Sequence, residues 1–112
     1  MIINKTKNVV IAETVFLANT PFKRMKGLLG RNSLEINQSL ILKPCNSIHT
    51  FFMRFPIDVL FVGDKFKVIK AISNILPWRL SPLCLRSHFV IELPAGRIIA
   101  TDTSSGDELT IE

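Results

Sequence analysis

Tyrosine is absent from this chain of 112 residues, tryptophan occurs once and cysteine twice. Two cysteines, Cys45 and Cys84, are too few for a disulfide scaffold, and they read as small, half-buried hydrophobes. No stretch approaches the roughly 18 uninterrupted apolar residues that span a bilayer, because Lys, Arg or Asp intervenes within a few positions. The opening MIINKTKNVVIAETVF lacks a signal peptide's succession of basic, apolar and small-residue segments. These absences predict a cytoplasmic protein without a membrane partner. Acids are scarce over residues 14–57, where Glu35 stands alone against six Lys or Arg. Bases are scarce over residues 92–112, where Arg97 faces five carboxylates. No glycine-rich phosphate loop, dinucleotide fingerprint or paired-carboxylate metal motif occurs, and no linker or low-complexity tract divides the chain.

What is present is a globular composition. With 47% hydrophobic and 21% charged residues, the chain has enough apolar surface to fold as one domain over residues 1–112. The formal net charge is +5. Its concentration toward the front suits an anionic partner, either a small ligand or an acidic protein surface. Lys5, Lys7, Lys65, Lys67 and Lys70 fall at solvated positions of strands and turns, and no block of basic residues forms. Nucleic acid is therefore the weaker reading.

Residues 8–18, NVVIAETVFLA, are rich in Val, Ile and Phe and read as one extended run. NTPFKRMKGLLG, residues 19–30, carries a helix signature: Thr20 or Asn19 as cap, Pro21 at the first helical position and Gly30 as the left-handed exit. Phe22, Met25, Leu28 and Leu29 recur near helical spacing, leaving Lys23 and Lys26 toward water, and Gly27 inside the helix costs about 1 kcal/mol. SLILKP, residues 39–44, is extended and ends at Pro44. DVLFVGDKFKVIKAI predicts a hairpin: an apolar strand at 58–62 covered on both faces, a turn at Gly63-Asp64 and a return over 66–72. LPWRLSPLC, residues 76–84, holds two prolines and is a surface loop. HFVIEL (88–93) is a strand stopped by Pro94, AGRIIATD a short helical turn, and GDELTIE a closing strand with Leu109 and Ile111 inward. Phe51, Phe52, Phe55 and Phe61 are assigned to the core. Six or seven short strands and one or two small helices, without an alternating strand–helix repeat, predict an α+β, mainly β domain. Its sheet is expected to be mostly antiparallel and strongly curved or barrel-like.

ANTPFKRMKGLLGR, SIHTFFMRFPIDVLFV, PWRLSP, ELPAG and the late GDEL occur in that order. Together they resemble the small bacterial and archaeal domain of unknown function 192, over about residues 9–111. The resemblance implies a compact β-rich single domain and no particular activity. It also implies that the recurring polar and special residues fall on Arg24, Gly27, His49, Met53, Pro56, Asp58, Glu92, Gly96, Gly106 and Asp107. The hairpin departs from the family's pattern, with Gly63 ahead of Asp64, which affects the turn type.

Three chemistries compete for the central segment. Cys45-x-x-x-His49 and Cys84-x-x-x-His88 together have the composition of a structural zinc site. On a strand, however, positions i and i+4 stand about 13 Å apart, too far to converge on one ion. The stretch after Pro44 is also poor in helix formers, so no metal and no cofactor are expected. His49 and Asp58 form a candidate acid–base pair, which meets only if the Arg54-Phe55-Pro56 step folds the chain back. Cys45 near His49 is a candidate nucleophile. Against catalysis, Asp58 also suits a strand-start carboxylate accepting backbone N–H bonds, with His49 as a satisfied edge residue. The third chemistry is a recognition cleft, for which Arg24, His49, Met53, Arg54, Trp78 and Arg79 supply cations, donors and large apolar faces. Trp78 either belongs to that cleft or plugs one end of the barrel. The sequence thus predicts a non-enzymatic binding or accessory module for a small or extended anionic ligand. Its site would comprise Arg24, His49, Met53, Asp58, Trp78 and Arg79. A hydrolase or transferase using His49 with Asp58 or Cys45 is the alternative, and a nucleic-acid-binding module the weaker one.

Overall fold

Short runs of β-branched and aromatic residues dominate the chain, and in the computed structural model, which describes residues 1–112, they form eight strands. The order is Ile2–Asn4 (β1), Val9–Ala12 (β2), Thr14–Ala18 (β3), helix Pro21–Lys26 (α1), Gln38–Leu42 (β4), Ile57–Val62 (β5), Val68–Ile75 (β6), Phe89–Pro94 (β7), helix Arg97–Thr101 (α2) and Leu109–Ile111 (β8). Strands β3-β4-β7-β5-β6 make a five-stranded sheet, antiparallel except for the β3–β4 pair. Strands β2-β1-β8 make a second, antiparallel sheet. The fold is α+β and mainly β. The barrel-like expectation is corrected, because the two sheets do not join into a closed ring.

Alternation along the strands divides the core in two. Ile41, Leu60, Val62, Ile91 and Leu93 face the small sheet and Ile98 of α2. Leu40, Leu42, Val59, Phe61 and Val90 face the other way, toward Leu28, Leu34, Ile48 and Met53. This second layer consists mostly of loops. All six residues of β5 are buried, as its unbroken apolar run requires. No helix is long and apolar enough to cross a membrane.

Several local expectations change. The run 8–18 breaks at Glu13, where Asn37 O accepts the N–H groups of both Glu13 and Thr14 (2.9 Å each) and sends β2 and β3 into different sheets. The hairpin return begins at Val68, after a 3-10 turn over Asp64–Phe66 in which Lys65 and Phe66 take left-handed φ of 58° and 54°. In α1, Thr20 Oγ1 accepts the Lys23 N–H (3.2 Å) as cap, but the helix stops at Gly27 (φ 48°), before Gly30. Gly27 therefore carries no mid-helix cost. Phe22 and Met25 are 73% and 70% exposed, because so short a helix leaves core packing to the Leu28 and Leu29 that follow it. Of the four phenylalanines placed in the core, Phe61 alone is fully buried; Phe51 and Phe55 are half-buried and Phe52 is 69% exposed. They precede β5, in a turn where no strand alternation directs them inward, and Met53 fills the core there instead.

Asp58 lies on the α2 side of the large sheet. Its Oδ2 accepts the N–H groups of Gly96 (3.1 Å) and Ile98 (2.9 Å), and its Oδ1 accepts that of Asn74 (2.8 Å). Gly96, the residue that begins α2, has no side chain to cap the helix, so Asp58 does so from the neighbouring strand. We predict that Asp58→Ala lowers unfolding free energy by about 3 kcal/mol or more in urea titration, since three N–H groups lose a charged acceptor. Asp64→Ala, which breaks only an exposed pairing with His88, should change it by less than about 0.5 kcal/mol.

Candidate functional site

The same alternation that turns Asp58 toward α2 turns Glu92 to the opposite face, beside Val90. In register it sits between Leu40 of β4 and Val59 of β5. It is 3% exposed, and no protein group donates a hydrogen bond to its carboxyl. Burial alone pushes that carboxyl from an ordinary 4.5 up to about 8, so near neutrality it keeps its proton. A protonated carboxyl both donates and accepts, and no other residue engages either capacity, so both are offered to the cleft.

Above Glu92 lies a cleft of about 310 Å³. One wall is the end of α1, where Arg24 and Lys26 contribute cations and Met25 an exposed thioether. The left-handed turn at Gly27 brings the main chain close over the acid; a Cβ there would stand 3.8 Å from Glu92 Oε1. Leu28, Leu29 and Leu42 supply the apolar surface, and the loop 45–53 closes the other wall with Cys45, Ile48, His49 and Met53.

Each polar group of that loop is constrained. The Cys45 thiol donates to Ser47 O (3.0 Å). Burial raises its pKa, and the carboxyl of Glu92 adds to the rise, while a backbone hydrogen bond at Ser47 and the Arg24 guanidinium offset part of it. Cys45 is thus a protonated thiol near neutrality and a poor nucleophile. His49 is exposed at the rim; its Nδ1 accepts the Phe51 N–H (3.3 Å) and its ring stacks on Phe51 at 5.1 Å between centroids.

Of the residues predicted for the site, Arg24, His49 and Met53 line one cleft. Trp78 and Arg79 lie outside it on the adjoining loop. Trp78 is 54% exposed and packs on Phe52 (4.5 Å) and Phe51 (6.1 Å), and the Arg79 guanidinium donates to Trp78 O (3.4 Å). The plug of a barrel end is therefore not its role. Asp58 is on the far face of the sheet with its oxygens engaged, so the hollow expected between His49 and Asp58 does not form. The Cys/His quartet does not assemble either: His88 Nε2 stands 3.1 Å from Asp64 Oδ1, and no three His, Cys, Asp or Glu side chains are placed to hold a metal. Glu92 is the site residue that residue chemistry alone passed over. Its signal was a lone acid inside the apolar strand FVIELP, where an unpaired charge is costly.

Comparison with known proteins agrees with this architecture. Residues 2–111 match the family described as Uncharacterized ACR, domain of unknown function 192. The UPF0127 protein of Thermococcus sibiricus is 35% identical, over 100% of this chain and 75% of its own length. The UPF0127 protein of Pyrococcus horikoshii is 32% identical, over 97% and 96%. A crystal structure of a protein of unknown function from Novosphingobium aromaticivorans superposes with a TM-score of 0.87 at 22% identity, covering 98% of this chain and 82% of that one, and so shares the fold.

Glu92 gives the cleft a measurable signature. Because its folded pKa lies above its unfolded value, its contribution to stability is complete below about pH 4.5 and is lost as the pH rises to about 8. We predict that the unfolding free energy of the native chain, relative to Glu92→Gln, falls across this window with a slope of up to ~1.4 kcal/mol per pH unit. Urea titrations from acid to mildly alkaline pH would show it. Above pH 8 the Gln variant should be the more stable.

Proposed function

This chain belongs to the domain of unknown function 192 family, and we propose that it is a non-enzymatic binding module whose cleft receives a small or extended anionic ligand. The observation that carries this reading is the Glu92 carboxyl, bonded to no other residue and facing a cleft whose charged side chains, Arg24 and Lys26, are otherwise positive. No side-chain N or O atom is both sealed from solvent and without a partner, so the Glu92 carboxyl is reached from the cleft, where a ligand can hydrogen-bond to it. With Glu92 neutral, the local field favours an anion. The size and mixed lining suit a molecule with an apolar body among Leu28, Leu42 and Met53, an acceptor against Glu92 and an anionic group beside Arg24.

Catalysis is the less supported reading. Its better version needs a thiolate at Cys45, where burial favours the thiol. Its other version needs Asp58 beside His49, and Asp58 caps α2.

A thermal-shift screen of carboxylates, phosphates, sulfonates and acidic peptides tests the proposal. At least one class should raise the melting temperature, and Arg24→Ala should weaken its binding by about tenfold to a hundredfold, as expected for a lost charge-assisted contact. A screen in which every anionic class leaves both proteins unmoved would sink it.

A further inference from the structure

Residues 46–54 and 76–86 form an irregular ribbon whose main chains pair with each other. Thr50 N–H donates to Arg79 O (2.9 Å), Trp78 N–H to Thr50 O (2.9 Å), Ser81 N–H to Ile48 O (2.9 Å) and Cys84 N–H to Asn46 O (2.8 Å). Thr50, wholly buried, locks the pairing: its hydroxyl donates to Leu76 O (2.6 Å) and accepts the Arg79 N–H (2.9 Å).

A ribbon fixed in this way nevertheless leaves large apolar side chains in water. Phe52 is 69% exposed, Trp78 54%, Leu80 72%, Leu83 63% and Leu85 78%. Phe52 and Trp78, in mutual contact at 4.5 Å, both hold left-handed backbone, φ 65° and 66°, which is uncommon for aromatic residues. Strained backbone that keeps aromatic rings outward, together with several exposed leucines, marks an interaction surface rather than a solvated loop.

Charge and shape select the partner. The fully charged side chains of the ribbon are Arg54, Arg79 and Arg86, and no carboxylate occurs in residues 36–57 or 65–91. The surface is therefore apolar and cationic, complementary to something apolar and anionic. None of the five exposed apolar side chains lines the cleft beneath α1 or any of three further surface depressions. They form a brush, not a groove, and Pro77 and Pro82 interrupt the outer edge of 76–86, so the ribbon offers neither a seat for a helix nor a continuous strand edge for a partner protein. A lipid surface requires neither. Tryptophan and leucine enter its headgroup layer, and arginine places its stem among the apolar groups and its guanidinium at the phosphates.

We propose that this ribbon docks the protein on an anionic lipid surface, with Phe52, Trp78, Leu80, Leu83 and Leu85 entering the headgroup layer and Arg54, Arg79 and Arg86 pairing with lipid phosphates. The contact is peripheral, and its five apolar side chains lie outside the lining of the cleft.

Trp78 is the single tryptophan of the chain, so its emission reports directly on the ribbon. The full chain is titrated with vesicles of phosphatidylcholine alone and with vesicles of phosphatidylcholine mixed with phosphatidylglycerol. The mixed vesicles alone should shift the emission to shorter wavelength and co-sediment the protein, and added salt should reverse both effects. Leu83→Ser combined with Leu85→Ser, at exposed positions outside the core, should weaken binding by about tenfold or more. Absence of shift and co-sedimentation with the mixed vesicles at low salt, or equal binding to both vesicle types, overturns the proposal. A blue-shifted emission with doubled mass in light scattering before lipid is added also overturns it, assigning the ribbon to a second copy of the chain.

Discussion

In a sheet covered on both faces, successive side chains of one strand enter different environments, and β5 and β7 each carry one carboxylate into that arrangement. Asp58 emerges on the face covered by α2 and finds three N–H donors. Glu92 emerges on the face covered by loops and finds none. One acid thus fastens α2 to the sheet and the other presents its carboxyl to the cleft. A slip of one residue in β5 would take Asp58 from its donors, and one in β7 would take Glu92 from the cleft, so the pairing that builds the sheet also positions the site.

The loop-built layer explains why the cleft is there. A helix packed along that face would have filled the space over Glu92. Instead α1 is six residues long and ends at Gly27, and the loop after Pro44 covers the remainder with Ile48 and Met53. Ordered loops on a rigid sheet are the usual carriers of binding groups. Here the loops are held by specific bonds, including Ser81 Oγ accepting the Ile48 N–H (2.8 Å), Ser87 Oγ donating to Cys45 O (3.0 Å) and the hydroxyl of Thr50.

Legibility of the sequence followed the physics of each feature. Strands β4, β5 and β7 were readable because a run of consecutive apolar residues in a short segment suits a strand covered on both sides. The start of α1 was readable because Thr20 followed by Pro21 has a local mechanism, a cap and a fixed φ. The fates of Phe51, Phe52 and Trp78 were not, because apolar character in a turn does not indicate which way the backbone points the side chain. At Phe52 and Trp78 a positive φ, set by neighbouring hydrogen bonds, decides it. Glu92 was visible as an anomaly in an apolar strand, but its lack of a partner was not, since that depends on what the facing layer omits.

The sequence by itself determined the class of fold, most strand positions, the start of α1 and three residues, Arg24, His49 and Met53, that share the cleft once the chain folds. These follow from local sterics, from two-residue alternation and from a resemblance spread over nearly the whole chain. Only the tertiary structure decided that Asp58 and Glu92 face opposite ways, that the two sheets stay open, and that the ribbon holds its aromatic and leucine side chains in water. The physical reason is that burial and pairing are properties of contacts between distant segments. A carboxylate's role depends on the donors that the rest of the fold brings within reach, and no spacing along the chain records them.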